Sequence, residues 1–290
     1  MTPDVAAAAD RIRPHARRTP LWRTEVDGRP IAFKLEHLQL TGSFKLRGAL
    51  NTLIAAGSPD RVVTASGGNH GLGVAKAAHL LGLHATVFVP VSAPEGKVRR
   101  IEAAGAKLIR HGDTYAEAVL AARETPGCYV EAYDDLPVVA GQGTVASEIV
   151  EDAPDVDAIA VAVGGGGLAA GTALASGRLT VAVEPERCCA LHHALAAGEP
   201  VDAEVDSVAA SALGATRVGD VPFGILSTHP VTSVLVSEAE ILAARDRLWE
   251  EFRLAVEPAA AVPFAAWLAG RVPGEPACVV LCGANTDWTP

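Results

Sequence analysis

The chemistry in this sequence starts at Lys45, in the run Thr41-Gly42-Ser43-Phe44-Lys45-Leu46-Arg47-Gly48-Ala49. A glycine turn leads into a helical pattern, and the lysine stands at its start between Phe44 and Leu46. Apolar neighbours are a poor setting for a lysine that only meets solvent. Lys45 is therefore read as the carrier of a cofactor, with later loops built around it.

Three such loops follow. Ser66-Gly67-Gly68-Asn69-His70-Gly71 comes after a strand and opens a helix. Small residues there let backbone N–H groups approach an anion the size of a carboxylate, and Asn69 adds one directional hydrogen bond. A tight turn capped by Asn69 fits the same residues. Gly164-Gly165-Gly166-Gly167-Leu168 lies between an apolar strand and a helix. So many glycines cost chain stiffness, and a phosphate cradle of backbone amides gives a reason for them. No Gly-Lys-Ser/Thr follows, which excludes a nucleoside-triphosphate P-loop. Gly164-x-Gly166-x-x-Ala169 with Glu184 beyond it also matches a dinucleotide fingerprint, so a nicotinamide-dependent oxidoreductase is a rival on local spacing. That rival leaves Lys45 and the Asn69 loop unexplained. Cys282 follows the last strand, either as a core thiol or as a weak partner for a ring nitrogen. A lysine, a carboxylate-sized loop, a phosphate-sized loop and a neutral strand-end group together suit pyridoxal phosphate.

The bulk composition narrows the alternatives. The chain has 290 residues, 49% hydrophobic and 20% charged, ample for a large core. Its net charge of −10 and lack of a basic cluster argue against a nucleic acid or an anionic membrane as partner. Met1 to Asp10 lacks the pattern of a signal peptide, and no apolar run is long enough to span a bilayer, so a cytoplasmic protein is expected. The cysteines, Cys128, Cys188, Cys189, Cys278 and Cys282, contain no Cys-x-x-Cys pair, and no His-Glu-x-x-His occurs. His192 and His193 are read as a helix-surface pair, and no metal is expected.

These groups must be positioned by alternating strands and helices. Helices are predicted over 5–17, 44–56, 69–81, 94–104, 115–124, 143–150, 190–197, 238–252 and 258–268. Strands are predicted over 31–35, 61–64, 85–89, 107–109, 158–163, 180–183, 234–236 and 277–281, and 199–230 is predicted irregular. Apolar strands alternating with helices specify an α/β fold with mostly parallel sheet covered by helices.

The chain then resembles a family. Gly42-Ser-Phe-Lys-Leu-Arg-Gly-Ala49, Ser66-Gly-Gly-Asn-His-Gly71, Ala140-Gly-Gln-Gly-Thr144, Gly164 to Leu168, Val256-Glu-Pro258 and Leu281-Cys-Gly-Ala-Asn285 occur in the order found in serine/threonine dehydratases and serine racemases, fold-type II pyridoxal-phosphate enzymes. The resemblance runs from about Thr19 to Asp287. It implies a large cofactor-binding lobe, 1–60 with 137–290, and a small mobile lobe, 61–136, in a homodimer. It also implies that Lys45 forms the Schiff base and Phe44 lies beside the cofactor. Asn69 would bond the phenolic oxygen, and Gly164, Gly165, Gly166, Gly167 and Leu168 the phosphate. Cys282 would sit at the ring nitrogen, and Ser66, Gly67, Gly68 and His70 would bracket the carboxylate of an amino-acid substrate. The implied reaction is β-elimination from L-serine or L-threonine.

Departures from the pattern carry information. Racemases of this family commonly carry a serine where this chain has Gly67, which cannot transfer a proton, so elimination is favoured over racemisation. A family cation site is matched by Glu184 and the Cys188 carbonyl but not by Ala190. The substrate-pocket segment is altered near Ala209-Ala210-Ser211, and Tyr133-Asp134-Asp135 fits either a cofactor contact or a lobe hinge. The chain ends soon after Cys282, without room for the regulatory domain of biosynthetic threonine deaminases.

Overall fold

The computed structural model describes residues 3–285. Two sheets carry the architecture. The strands of the first are β1 (Leu21–Val26), β2 (Arg29–Lys34), β7 (Ala158–Ala162), β8 (Leu179–Pro185), β9 (Val231–Val236) and β10 (Ala277–Val280), in the order β1-β2-β10-β7-β8-β9. Only β1 and β2 pair antiparallel; every other neighbour in this sheet is parallel. The second sheet is parallel throughout, with β3 (Arg61–Ala65), β4 (His84–Val89), β5 (Lys107–Arg110) and β6 (Cys128–Tyr129) in the order β5-β4-β3-β6. Central β7 and β10 are buried along their whole length, which is why they consist of unbroken Ala, Ile, Val and Cys.

The helices are α1 (Val5–Ile12), α2 (Lys45–Ala55), α3 (Asn69–Leu80), α4 (Glu95–Ala103), α5 (Tyr115–Glu124), α6 (Leu136–Asp152), α7 (Gly167–Ser176), α8 (Ala190–Ala197), α9 (Ala210–Leu213), α10 (Asp220–Leu226), α11 (Glu238–Phe252) and α12 (Pro258–Leu268). Among the described residues, no helix is long and apolar enough to cross a membrane.

Several elements differ from the sequence reading. Strand β1 lies outside the predicted strands, yet it pairs with β2 through a two-residue turn in which Asp27 and Gly28 have φ of 52° and 73°. Positive φ at both positions is the signature of the tight hairpin turn that Asp-Gly favours. Helix α6 begins at Leu136, well before the predicted start at 143. Its glycines are packing residues, not breakers. A Cβ on Gly141 would lie 2.6 Å from Gly48 Cα, and one on Gly143 would lie 2.8 Å from the Gly171 carbonyl oxygen. They let α6 cross α2 and α7 backbone to backbone. The segment 199–230 holds α9 and α10, short helices within the predicted irregular stretch.

Helix α2 lies at the junction of the two halves. Leu46, Leu50 and Leu53 belong to the core cluster of the second sheet, together with Val62, Val74 and Val87. Its opposite side carries Arg47, 1% exposed, which reaches Glu36 and Glu148 at 2.7 Å each. Lys34 joins Glu148, and Thr19 donates to Glu36. Burial pushes the Glu36 carboxyl up, but the Arg47 guanidinium and the Thr19 hydroxyl hold it below its ordinary range. The network anchors α2, and with it Lys45, to the first sheet and α6.

Candidate active site

Lys45 is the first residue of α2 and its amine enters a cleft between the two sheets. The loop before it is stitched to the end of β10: Phe44 N–H donates to the Cys282 carbonyl at 3.2 Å and Ala284 N–H to the Gly42 carbonyl at 2.8 Å. On the other side a Cβ at Gly73 would lie 3.1 Å from the Lys45 carbonyl carbon, so a glycine lets α3 approach. Lys45 Nζ donates to the Ala132 carbonyl at 2.8 Å and lies 5.3 Å from the centre of the Phe44 ring. Burial pulls its pKa down to about 8. Cys282 works slightly against that, but burial drives the thiol far above its ordinary value, so it stays neutral.

The cleft has a narrow and a wide part. The narrow part, about 40 Å³, is lined by Phe44, Lys45, Asn69, the loop Gly164 to Leu168, Glu257 and Cys282. Here glycine is required by space at Gly165 and Gly166 and leaves tight room at Gly164 and Gly167. A Cβ on Gly165 would lie 2.2 Å from Tyr133 Cγ, and one on Gly167 would lie 3.1 Å from Tyr133 Cβ. Gly166 has φ +94° and faces Pro222. No side chain caps the first turn of α7, so its backbone amides are available to an anion. The wide part, about 410 Å³, is bounded by Ser66, Gly67, Gly68, Asn69 and His70, by Lys97 and Tyr115, and by Ala210 and Ser211.

Every residue singled out from the sequence as a site residue therefore lines the cleft, but two side chains are turned to other tasks. His70 Nε2 lies 2.9 Å from Thr64 Oγ1 and 3.1 Å from the Val130 carbonyl. Burial, reinforced by the Lys45 charge, lowers its pKa to about 3, which keeps the ring neutral. Ser66 Oγ accepts the Gly68 N–H at 3.2 Å and so shapes its own loop. Glu257 is a site residue that the sequence reading does not find. Asn69 Nδ2 donates to Glu257 Oε1 at 2.7 Å. The Val256-Glu257-Pro258 motif is visible, but nothing local shows that a glutamate before a helix-starting proline turns inward. Tyr133 covers the glycine loop, while Asp134 accepts the Val221 N–H at 2.8 Å and ties α10 to the same segment.

Glu184 serves structure. It is fully buried, and its carboxylate oxygens accept the Leu191 and His192 N–H groups at 2.8 Å each, closing the start of α8. It offers nothing to a ribose, which removes the dinucleotide reading of Gly164, Gly166 and Ala169. The oxygen set of the implied cation site does not fit either, since Ala190 contributes no side-chain oxygen.

The remaining donors fit pyridoxal phosphate. Lys45 would supply an amine for its aldehyde, and the uncapped α7 amides would hold its phosphate. Cys282 offers a neutral thiol, and Asn69 Nδ2, which donates to Glu257, carries a second hydrogen to give. Comparison with known proteins agrees. The family model "Pyridoxal-phosphate dependent enzyme" matches residues 12–283. The L-threonine ammonia-lyase of Geobacter sulfurreducens is 40% identical over 98% of this chain and 75% of its own length. The serine racemase of Arabidopsis thaliana is 32% identical over 98% of this chain and 92% of its own. The crystal structure of a threonine deaminase from T.th. superposes with a TM-score of 0.93 at 35% identity, covering 99% of this chain and 98% of that one. The chain belongs to the family of pyridoxal-phosphate dependent enzymes.

Proposed function

We propose that this enzyme catalyses β-elimination from L-serine, L-threonine or both, giving a 2-oxo acid and ammonia. The observation that carries this reading is the pairing of Lys45, an amine held near neutrality, with a substrate loop in which Gly67 carries no acid or base. Pyridoxal phosphate, when bound, supplies the electron sink that makes the Cα–H bond of an amino acid acidic. The α7 amides and the glycines before it hold the phosphate. The 66–70 loop orients the substrate carboxylate with backbone N–H groups. Lys45 Nζ takes the Cα proton, and its pKa of about 8 leaves a useful fraction unprotonated at neutral pH. Cys282, a neutral thiol, would be the group at the cofactor's ring nitrogen and would not hold a proton there.

The similarity to an L-threonine ammonia-lyase and to a threonine deaminase supports the reaction class. We further propose that 61–136 is the lobe that moves, and that the enzyme is a cytoplasmic homodimer. The free thiols of Cys128, Cys188, Cys189, Cys278 and Cys282 suit a reducing compartment. Ammonia and 2-oxo acid release, screened across serine, threonine, hydroxyaspartate and diaminopropionate, tests the reading. Serine or threonine should be turned over fastest with equal yields of both products. No release from any of these, or D-serine formation outrunning pyruvate, would contradict it.

A further inference from the structure

Glu257 has no role in the chemistry above, yet it is a carboxyl on the wall of the Lys45 cavity and only 3% exposed. The chain takes pains to place it. Its backbone N–H donates to the Gly283 carbonyl at 3.1 Å, and a Cβ on Gly283 would lie 2.1 Å from Glu257 Oε1. Only a glycine leaves room for the carboxyl there. Its side-chain partner is Asn69 Nδ2 at 2.7 Å.

An asparagine amide is ambiguous on its own, since its two ends have nearly the same shape and opposite hydrogen-bonding character. A carboxylate removes the ambiguity, because it can only accept. We propose that Glu257 is a positioning residue: by accepting one Nδ2 hydrogen it fixes the Asn69 amide, so that the second Nδ2 hydrogen serves an anionic oxygen of the cofactor. The inference rests on the proposed role of Asn69.

The arrangement has a pH dependence. Asn69 meets the carboxyl from α3 and Lys97 from α4, while Cys282 and the Asn285 N–H meet it from the loop after β10, and Lys45 shares the cavity. Burial outweighs the groups that favour the charged form, and the Glu257 pKa stands at about 6. Above that pH the carboxylate holds the amide in one orientation. Below it the protonated carboxyl also donates, and Asn69 Oδ1 becomes an equally good partner, so the orientation is lost.

The test is cofactor affinity, read as the dissociation constant of pyridoxal phosphate from the reconstituted protein between pH 5 and 8. The unaltered protein should bind at least about tenfold more weakly at pH 5 than at pH 7, the scale of one charge-assisted hydrogen bond. Glu257→Gln should bind about tenfold more weakly at pH 7, and its loss of affinity from pH 7 to pH 5 should be about tenfold smaller than in the unaltered protein. In an Asn69→Ala background the same substitution should change affinity by less than about twofold. An unchanged acid limb in Glu257→Gln, or an equal cost with and without Asn69, would overturn the proposal. If Glu257→Gln does not fold, Asn69→Ala alone decides: a smaller acid limb supports the proposal and an unchanged one overturns it. No cofactor binding at any pH in the unaltered protein would instead overturn the site assignment on which the proposal stands.

Discussion

Arg47 and Lys45 lie two residues apart on α2, and the fold treats their charges in opposite ways. Arg47 is buried against Glu36 and Glu148, and their attraction holds its charge firmly in place despite burial. Lys45 has a carbonyl, an aromatic ring and a neutral thiol for neighbours, and its pKa falls to about 8. A buried cation with full hydrogen-bonded pairing is inert and structural, whereas an uncompensated one is poised to lose its proton. One helix therefore carries both an anchor and a reactive group, and the anchor holds the reactive group still.

The contrast can be broken from either side. Lys45→Met should cut turnover by at least about a thousandfold, as expected when the base is removed. The same substitution should leave the apoprotein as stable or more stable, because no counter-charge is stranded; assay and thermal melt together check this. Arg47→Met leaves the buried Glu36 without its counter-charge, while Glu148 keeps Lys34, and should cost about 3–5 kcal/mol in denaturant unfolding. Gly165→Ala puts a Cβ 2.2 Å from Tyr133 Cγ. It should weaken cofactor binding by more than about tenfold while costing the fold only about 1–3 kcal/mol, the scale of overpacking.

Two smaller effects sharpen the comparison. A Cβ on Gly67 would lie 3.7 Å from Val89 Cγ1, ordinary contact distance, so the Cβ of Gly67→Ser is accommodated. It adds a hydroxyl near the substrate loop, and chiral analysis of residual serine should detect more D-serine than the unaltered enzyme forms. Finally, the Lys45 pKa is depressed to about 8 from 10.5. Between those values the unfolded chain holds more protons than the folded one, so apoprotein stability should rise as pH increases through this window. Lys45→Met should remove that part of the rise, as measured by unfolding at a series of pH values.

Much of this is legible in the sequence. The glycine loops, the lysine and the apolar strands announce themselves through local composition, and the helix from Asn69 and the strand from Ala277 lie close to their predicted positions. What local reading misses depends on contacts between distant segments. The glycines of α6 look like breakers until α2 and α7 are packed against them. Glu257 looks like a helix-start residue until Asn69, 188 positions away, donates to it. Glu184 looks like a ribose ligand until the α8 amides claim both of its oxygens. Strand β1 is a different kind of miss, since its Asp27-Gly28 turn signal is present in the sequence.

The proposed chemistry turns on one atom, Lys45 Nζ. Borohydride reduction of the cofactor-loaded enzyme, followed by proteolysis and mass spectrometry of the peptides, tests it directly. The predicted result is the reduced pyridoxyl group on the peptide containing Lys45, with the visible absorption band lost in step. Label confined to Lys34, Lys76, Lys97 or Lys107, or an enzyme that turns over substrate with Lys45 unlabelled, would contradict it.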